Sequence, residues 1–257
     1  MIILIAESKT MMACDSHISH EEYVAHTPPG EKIAGEIMND VSEMPVNEIS
    51  RAAKLSLPMA QKCKRLAYEF PNKALGEKAI EAYTGVVFKA LDFNSMEVEA
   101  KSNISSKVRI ISSLYGLLSP TDIIKAYRLD YTTPFAPDGK SLISYWKDKI
   151  TSRLLEELSN ETVPVIIDLL PGDAAKGLDR KKIEKKAQII KIDFKELIDG
   201  GAFRTPSSNR LKELRGHLLR EIAIRGISSP SQLRLMETEK LIPMESDAGN
   251  HILFCLK

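Results

Sequence analysis

Apolar and polar positions along the chain follow two rhythms, a short continuous one and a longer one of helical period. Residues 1–6 are a run of apolar, largely β-branched side chains too short for a helix, and they predict a buried strand. The runs at 163–170, 187–192 and 251–256 predict three more, the first stopped by Pro171-Gly172. Residues 96–100 (Met-Glu-Val-Glu-Ala) alternate like a half-buried strand. Residues 108–114 read as a strand running into Tyr115-Gly116. Helical spacing marks 31–40, 47–69 and 141–158, the last with Leu142, Trp146, Ile150 and Leu154 on one stripe. It also marks 207–225, closed by Gly226, a residue type that tolerates a left-handed cap. Residues 74–91 predict a helix or a helix pair broken at Gly85. Pro120 suits the first turn of a short helix capped by Ser119, and Ser228-Ser229-Pro230 suit the start of another. Residues 16–31 read as a polar loop. The strands lie at both termini and in the middle with no obvious linker, so the expectation is one α/β domain over residues 1–257 whose ends meet.

Composition narrows the class. Of 257 residues 43% are hydrophobic and 28% charged, a globular balance that excludes disordered, collagenous and coiled-coil chains. No apolar run approaches the roughly 20 residues of a membrane span. The first run begins at Met1 with no basic segment ahead of it, so no secretory signal is expected. Cys14, Cys63 and Cys255 are scattered and odd in number, as in a cytoplasmic protein with reduced thiols. The net charge of +1 conceals an asymmetry. Residues 1–50 carry two basic side chains against nine acidic, and residues 51–257 carry 34 against 26. The larger part of the chain is therefore compatible with an anionic partner.

Standard chemical motifs are missing: no phosphate-binding glycine loop, dinucleotide fingerprint, HExxH, CxxC or GxSxG. No cofactor is expected. His17, His20 and His26 share an acidic stretch with Cys14 and Asp15, but without metal-ligand spacing, and no metal site is expected. Residues 48–68 hold Arg51, Lys54, Lys62, Lys64 and Arg65 with no acid between Arg51 and Tyr68. Two short helices meeting near Pro58, with Ile49, Ala52, Leu55, Leu57, Cys63 and Leu66 inward, describe a helix-hairpin-helix shape. Such a unit can hold a phosphate at its second helix, but the glycines usual at the hairpin are absent. An ordinary helical corner with a solvated basic face explains the same residues. Residues 109–131 interleave Arg109, Tyr115, Asp122, Lys125, Tyr127, Arg128, Asp130 and Tyr131 with apolar pairs. This mixture suits either a phosphate- or carboxylate-binding cleft or a hydrogen-bonded loop lock. Arg204, Arg210, Lys212, Arg215, Arg220 and Arg225 crowd the last long helix, and Lys176 and the run at 180–186 add further positive charge.

The order of these segments resembles a known family. Ile2 to Ile5 followed by Ser8-Lys9-Thr10 is similar to the "LISPAKT" opening of the YaaA family of bacterial peroxide-stress proteins. Residues 109–122, from Arg-Ile-Ile-Ser-Ser-Leu-Tyr-Gly-Leu-Leu onward, resemble its "RMLSGLYGLLRPLD". Tyr127-Arg128-Leu129-Asp130 resembles "PYRLEM", and residues 142–146 resemble "LYxFW". Residues 168–176 and 212–216 stand where the family has "NLASxEYxK" and "KKARG". The resemblance spans essentially the whole chain, with departures at Glu7, Ser113, Ser119, Pro171, Ala174 and Glu213.

The resemblance implies a single α/β (mixed α+β) domain of unusual topology, with a central sheet, a basic cleft and a helix-hairpin-helix element at 48–68. It implies binding to double-stranded or branched DNA in peroxide-stress protection and DNA repair. It places Lys9, Thr10, Arg109, Tyr115, Gly116, Asp122, Tyr127, Arg128, Lys176, Lys212 and Arg215 at the cleft. Arg51, Lys54, Lys62, Lys64 and Arg65 would then neutralise phosphates. The alternative is an enzyme acting on a nucleobase, nucleotide or small phosphorylated substrate, with Lys9 as nucleophile and Asp122 as its carboxylate partner. A closed pocket at the cleft residues, separate from the hairpin, favours the enzyme. An open basic groove joining the two favours the binder.

Overall fold

A computed structural model describes residues 1–12, 20–72, 76–244 and 249–257. The chain begins with β1 (Ile2–Ala6) and continues through α1 (His20–Ala25), α2 (Glu31–Glu43), α3 (Val46–Ala52) and α4 (Leu57–Glu69). A short strand β2 (Glu77–Lys78) leads into α5 (Ala79–Ala82), α6 (Val86–Leu91) and α7 (Val98–Lys107). The middle of the chain holds β3 (Val108–Ser112), β4 (Gly116–Leu118), β5 (Ile123–Ile124), α8 (Leu142–Leu158) and β6 (Val165–Asp168). After α9 (Gly172–Ala175) and α10 (Arg180–Glu184) come β7 (Gln188–Leu197), β8 (Phe203–Arg204) and α11 (Ser208–Ile224). The described chain closes with α12 (Pro230–Arg234), β9 (Leu241–Met244) and β10 (His251–Leu256).

One sheet organises these elements, in the order β4-β3-β1-β6-β7-β10-β9, with β8 paired to β7. The inner strands β3, β1, β6, β7 and β10 run parallel, and β4 and β9 are antiparallel edges. This explains the continuous apolar runs. A parallel strand is covered on both faces, and Ile2, Ile3, Leu4 and Ile5 are all buried. The two terminal strands share the sheet but do not touch, because β6 and β7 lie between them. In chain order the parallel strands stand 2-1-3-4-5. The chain leaves β1 on one side to form β3 and then crosses to its other side for β6. Ligands of open α/β sheets sit at the carboxyl ends of strands around such a reversal. Here those ends lead into Glu7, Ser113 and Leu169.

The long helices follow their stripes. In α8, Leu142, Trp146, Ile150 and Leu154 are buried, as the spacing predicts. Gly116, at φ +80°, lies so close to the Trp146 ring that a Cβ there would stand 2.6 Å from it, and Trp146 Nε1 donates to the Ser113 carbonyl at 3.0 Å. Helix, turn and strand are thus locked together where β3 folds back into β4. Ser207 caps α11 by accepting from the Arg210 N–H, and Gly226 at φ +63° follows its end. Ser229 and Gln232 form a capping box at the start of α12.

Three local expectations differ from the fold. Residues 96–100 begin the helix α7: Ala100 and Ile104 face the core one turn apart, while Val98 is 82% exposed, so the two-residue alternation was coincidental. Residues 119–122 form a turn and no helix, because the Asp122 carboxylate accepts the Ser119 N–H at 2.8 Å and the chain then enters β5. The polar stretch at 16–31 includes the helix α1. Over residues 76–91 the expected helix pair forms as α5 and α6 on either side of Gly85, after the short strand β2. The glycine approaches Ser8 so closely that a Cβ would stand 2.1 Å from the Ser8 Oγ. Among the described residues no helix is long and apolar enough to cross a membrane.

Candidate functional site

Where β1 ends, Glu7 turns back over the sheet. Its Oε2 accepts the Ser113 backbone N–H at 2.8 Å and the Tyr127 hydroxyl, while its own N–H reaches the Tyr131 hydroxyl at 3.2 Å. Tyr127 also meets the Tyr83 hydroxyl at 2.7 Å and the Ser112 hydroxyl at 2.8 Å. The single Tyr127 proton goes to Glu7, so Tyr83 and Ser112 act as donors to Tyr127. Edge-on contacts of the Tyr127 ring with Tyr83 and Tyr115 hold it in place. Burial in this apolar, aromatic setting pushes the Glu7 carboxyl up to about 7, against the pull of the Tyr127 and Ser113 hydrogen bonds. Burial and the neighbouring Glu7 charge likewise raise the hydroxyls of Tyr127 and Tyr83.

Beside this network lies a cavity of about 450 Å³. Among the described residues five cations line it: Lys9 from the loop after β1, Lys62 and Arg65 from α4, and Lys125 and Arg128 from the segment after β5. Its apolar wall is Met11, Met12, Met59, Leu66 and Phe70, and Tyr127 reaches it from the network. Glu69 is the one carboxylate among the described lining residues. The cations are not equivalent. Lys9 is ion-paired to Asp130, and that contact outweighs burial to hold the Asp130 carboxyl below the usual range. Lys125 is tied down, donating to the Phe70 carbonyl at 2.7 Å and lying 4.9 Å over the Phe70 ring. Arg128 has a buried Nη1 with no hydrogen-bond partner among the described residues. Lys62 and Arg65 are exposed and unpaired within the described chain. A buried guanidinium N–H without a partner is rare and calls for an explanation, and beside four other cations the matching chemistry is an anion.

The α3–α4 corner supplies this wall. Ala60, Cys63 and Ala67 are buried on one side of α4, while Met59, Lys62, Arg65 and Leu66 face the cavity. Lys54 at the corner has φ +53°, and the Leu55 N–H reaches back to the Ser50 carbonyl at 3.0 Å. A lysine thus occupies the left-handed position where a glycine is usual. Leu57, expected to face inward, is 51% exposed at the start of α4. Lys64 points away from the cavity and donates to the Met44 carbonyl at 2.8 Å. Arg51 and Lys54 are exposed and not part of the cavity wall. Cys63, behind the wall, is pushed up to about 11 by burial, with Arg128 opposing.

Of the residues placed at a cleft by sequence, Lys9, Thr10, Tyr127 and Arg128 come together here. Tyr115 is buried behind them, its hydroxyl accepting the Lys125 N–H at 3.0 Å, and Gly116 packs on Trp146. Arg109 lies elsewhere, donating to Glu157 at 2.6 Å and to the Val108 carbonyl. Asp122 holds its own turn, with burial raising its carboxyl, and the partner of Lys9 is Asp130. Lys176 pairs with Asp173 at the surface and Lys212 is exposed on α11. Arg215 is half-buried with its Nε unpartnered among the described residues; burial lowers its pKa against the fields of Asp168 and Asp193. Asp168 itself is buried and bonded to Arg180.

Glu7 and the three methionines of the wall had no signal in the sequence beyond the departure at position 7. Cys14, Asp15, His17 and the His20 side chain lie outside the described residues. Among the described ones no cluster of three or more His, Cys, Asp or Glu could hold a metal ion.

The joint appearance of the opening loop, the 109–131 block and α4 around one cavity accords with what the chain resembles over its length. A sequence model described as peroxide stress protein YaaA matches residues 1–245. A UPF0246 protein of Francisella tularensis subsp. novicida is 31% identical over 202 residues, 77% of this chain and 78% of that protein. A UPF0246 protein of Francisella philomiragia is 27% identical over 238 residues, 91% of each chain. The chain belongs to the YaaA (UPF0246) family of peroxide stress proteins.

Proposed function

We propose that the chain binds DNA, duplex or branched, through its phosphates, and that it serves peroxide-stress protection and DNA repair in this capacity. One observation carries the reading: the basic face of α4 and the loop cations share a single open cavity, with Lys62, Arg65, Lys9 and Arg128 around it. A site whose exposed cations, unpaired within the described chain, are Lys62 and Arg65, with Lys9 held by Asp130 and Arg128 half-buried beside them, suits backbone phosphate and carries no base code. Arg51 and Lys54 at the adjoining corner extend the positive surface, and the α3–α4 pair would act as the helix-hairpin-helix element. Pro58 at the second position of α4 removes one N–H from the helix start, so side-chain charge contributes more than backbone donors.

Gel-shift titrations at low salt with duplexes of unrelated sequence test the reading. Arg51→Ala, Lys62→Ala and Arg65→Ala are expected to weaken binding to a similar degree on each sequence. No shift at low salt would contradict it.

A further inference from the structure

The cavity is larger and more apolar than phosphate contacts require. About 450 Å³ lies within the range of small-molecule sites, roughly 300–1,000 Å³. Phosphates on a duplex surface can be met by Lys62 and Arg65 alone, since both side chains stand exposed on α4. Yet behind them Met11, Met59, Leu66 and Phe70 form one apolar wall, and the buried Nη1 of Arg128, without a partner among the described residues, belongs to the same cavity. Thioethers and an aromatic ring make an adaptable surface for a flat heteroaromatic group, and a guanidinium matches a phosphate in charge and geometry. Charge and apolar surface so close together fit a ligand that is anionic at one end and aromatic at the other.

We infer that the cavity receives one nucleotide unstacked from the bound strand, its base among Met11, Met59, Leu66 and Phe70 and its phosphate on Arg128. This rests on the DNA reading above and adds to it a pocket for a single base. Enzymes that work on a base and proteins that hold single strands both take bases out of the stack onto apolar or aromatic side chains. The four apolar side chains carry no set of donors and acceptors, so they do not by themselves select one base.

The test compares deoxyadenosine 5′-monophosphate, deoxyribose 5-phosphate and deoxyadenosine by calorimetry at low salt, alongside duplex binding by gel shift. The monophosphate is expected to bind saturably and at least tenfold more tightly than either fragment. Arg128→Ala should weaken it tenfold or more. Leu66→Trp, which fills the cavity, should abolish it, and Met59→Trp serves as the second filler should Leu66→Trp not fold. Deoxyribose 5-phosphate binding as tightly as the monophosphate would overturn the inference, as would unchanged affinity in a folded filler variant. Duplex binding without monophosphate binding overturns this inference alone. Monophosphate binding without duplex binding overturns the DNA reading and, with it, the strand as the source of the nucleotide.

Discussion

The Tyr127 hydroxyl donates to the Glu7 carboxylate from beneath, and Tyr83 and Ser112 in turn donate to Tyr127. A carboxylate, two tyrosines and a serine from four separate segments form one hydrogen-bonded chain ending at the basic cavity. The arrangement holds the loop after β1 in place and so fixes where Lys9 and Thr10 stand.

Glu7 makes stability depend on pH in a defined window. Its carboxyl rises from the ordinary 4.5 to about 7 on folding, so the folded chain binds more protons than the unfolded one between those values. With respect to this group, stability is greatest below pH 4.5, falls as pH rises, and levels off above 7. Glu7→Gln removes the ionisation and should leave a chain more stable than wild type at pH 8, by on the order of 3 kcal/mol, with little difference at pH 4.5. Urea unfolding at the two pH values checks this, and a constant difference between the two proteins would contradict it.

Lys54 bears a left-handed backbone at the α3–α4 corner. A β-carbon in that conformation costs about 1 kcal/mol, which glycine does not incur. Lys54→Gly should therefore raise Tm by roughly 2–4 °C for a chain of this size, while removing one positive charge from the corner. A Tm unchanged or lowered in scanning calorimetry would contradict the account of the corner.

Gly116 is constrained from two directions, by φ +80° and by the Trp146 ring 2.6 Å from any Cβ. Gly116→Ala combines backbone strain with overpacking and should destabilise by about 2–4 kcal/mol. Chemical denaturation measures it, and the intrinsic fluorescence of Trp146, the one tryptophan of the chain, reports the local change.

Cys63 is fully buried and its thiol is pushed up to about 11. At pH 7.5 roughly one molecule in a few thousand would carry the thiolate, the form that reacts with peroxide and alkylating agents. Peptide mapping after iodoacetamide treatment should find Cys63 unmodified in the native chain and modified after unfolding. Rapid labelling of the native thiol would show that it is more accessible than its packing implies.

How much of this was legible in the sequence depended on how locally each feature is determined. β10 matches its predicted bounds, and α8 and α11 begin one residue inside theirs, because a continuous apolar run or a stripe with its cap residue is complete within the segment. Residues 96–100 misled because a two-residue alternation over five positions also fits a helix whose inward residues are Ala100 and Ile104. The turn at 119–122 was hidden because Asp122 and Ser119 can cap a helix or close a turn, and only the strands on either side decide. Lys9, Tyr127 and Arg128 share the cavity and lie in the motifs that carry the resemblance. Glu7 stands out in the sequence only as a departure from the family's opening motif. Its chemistry comes from Ser113 and Tyr127, 106 and 120 residues away, and a sequence window holds no trace of that burial. The meeting of α4 with the 125–128 segment, which makes the cavity, is likewise a property of the packed sheet and helices.

The Lys62–Arg65 face and its neighbours are proposed to bind DNA by charge. The most direct measurement is the salt dependence of affinity for two duplexes of unrelated sequence, read by fluorescence anisotropy. With three or four phosphates neutralised, log K should fall linearly with log salt at a slope of about −3 to −4, the same for both duplexes. The Lys62→Ala/Arg65→Ala double variant should bind more weakly, with the slope reduced by about 2. Affinity independent of salt, or a slope unchanged in the double variant, would contradict the account.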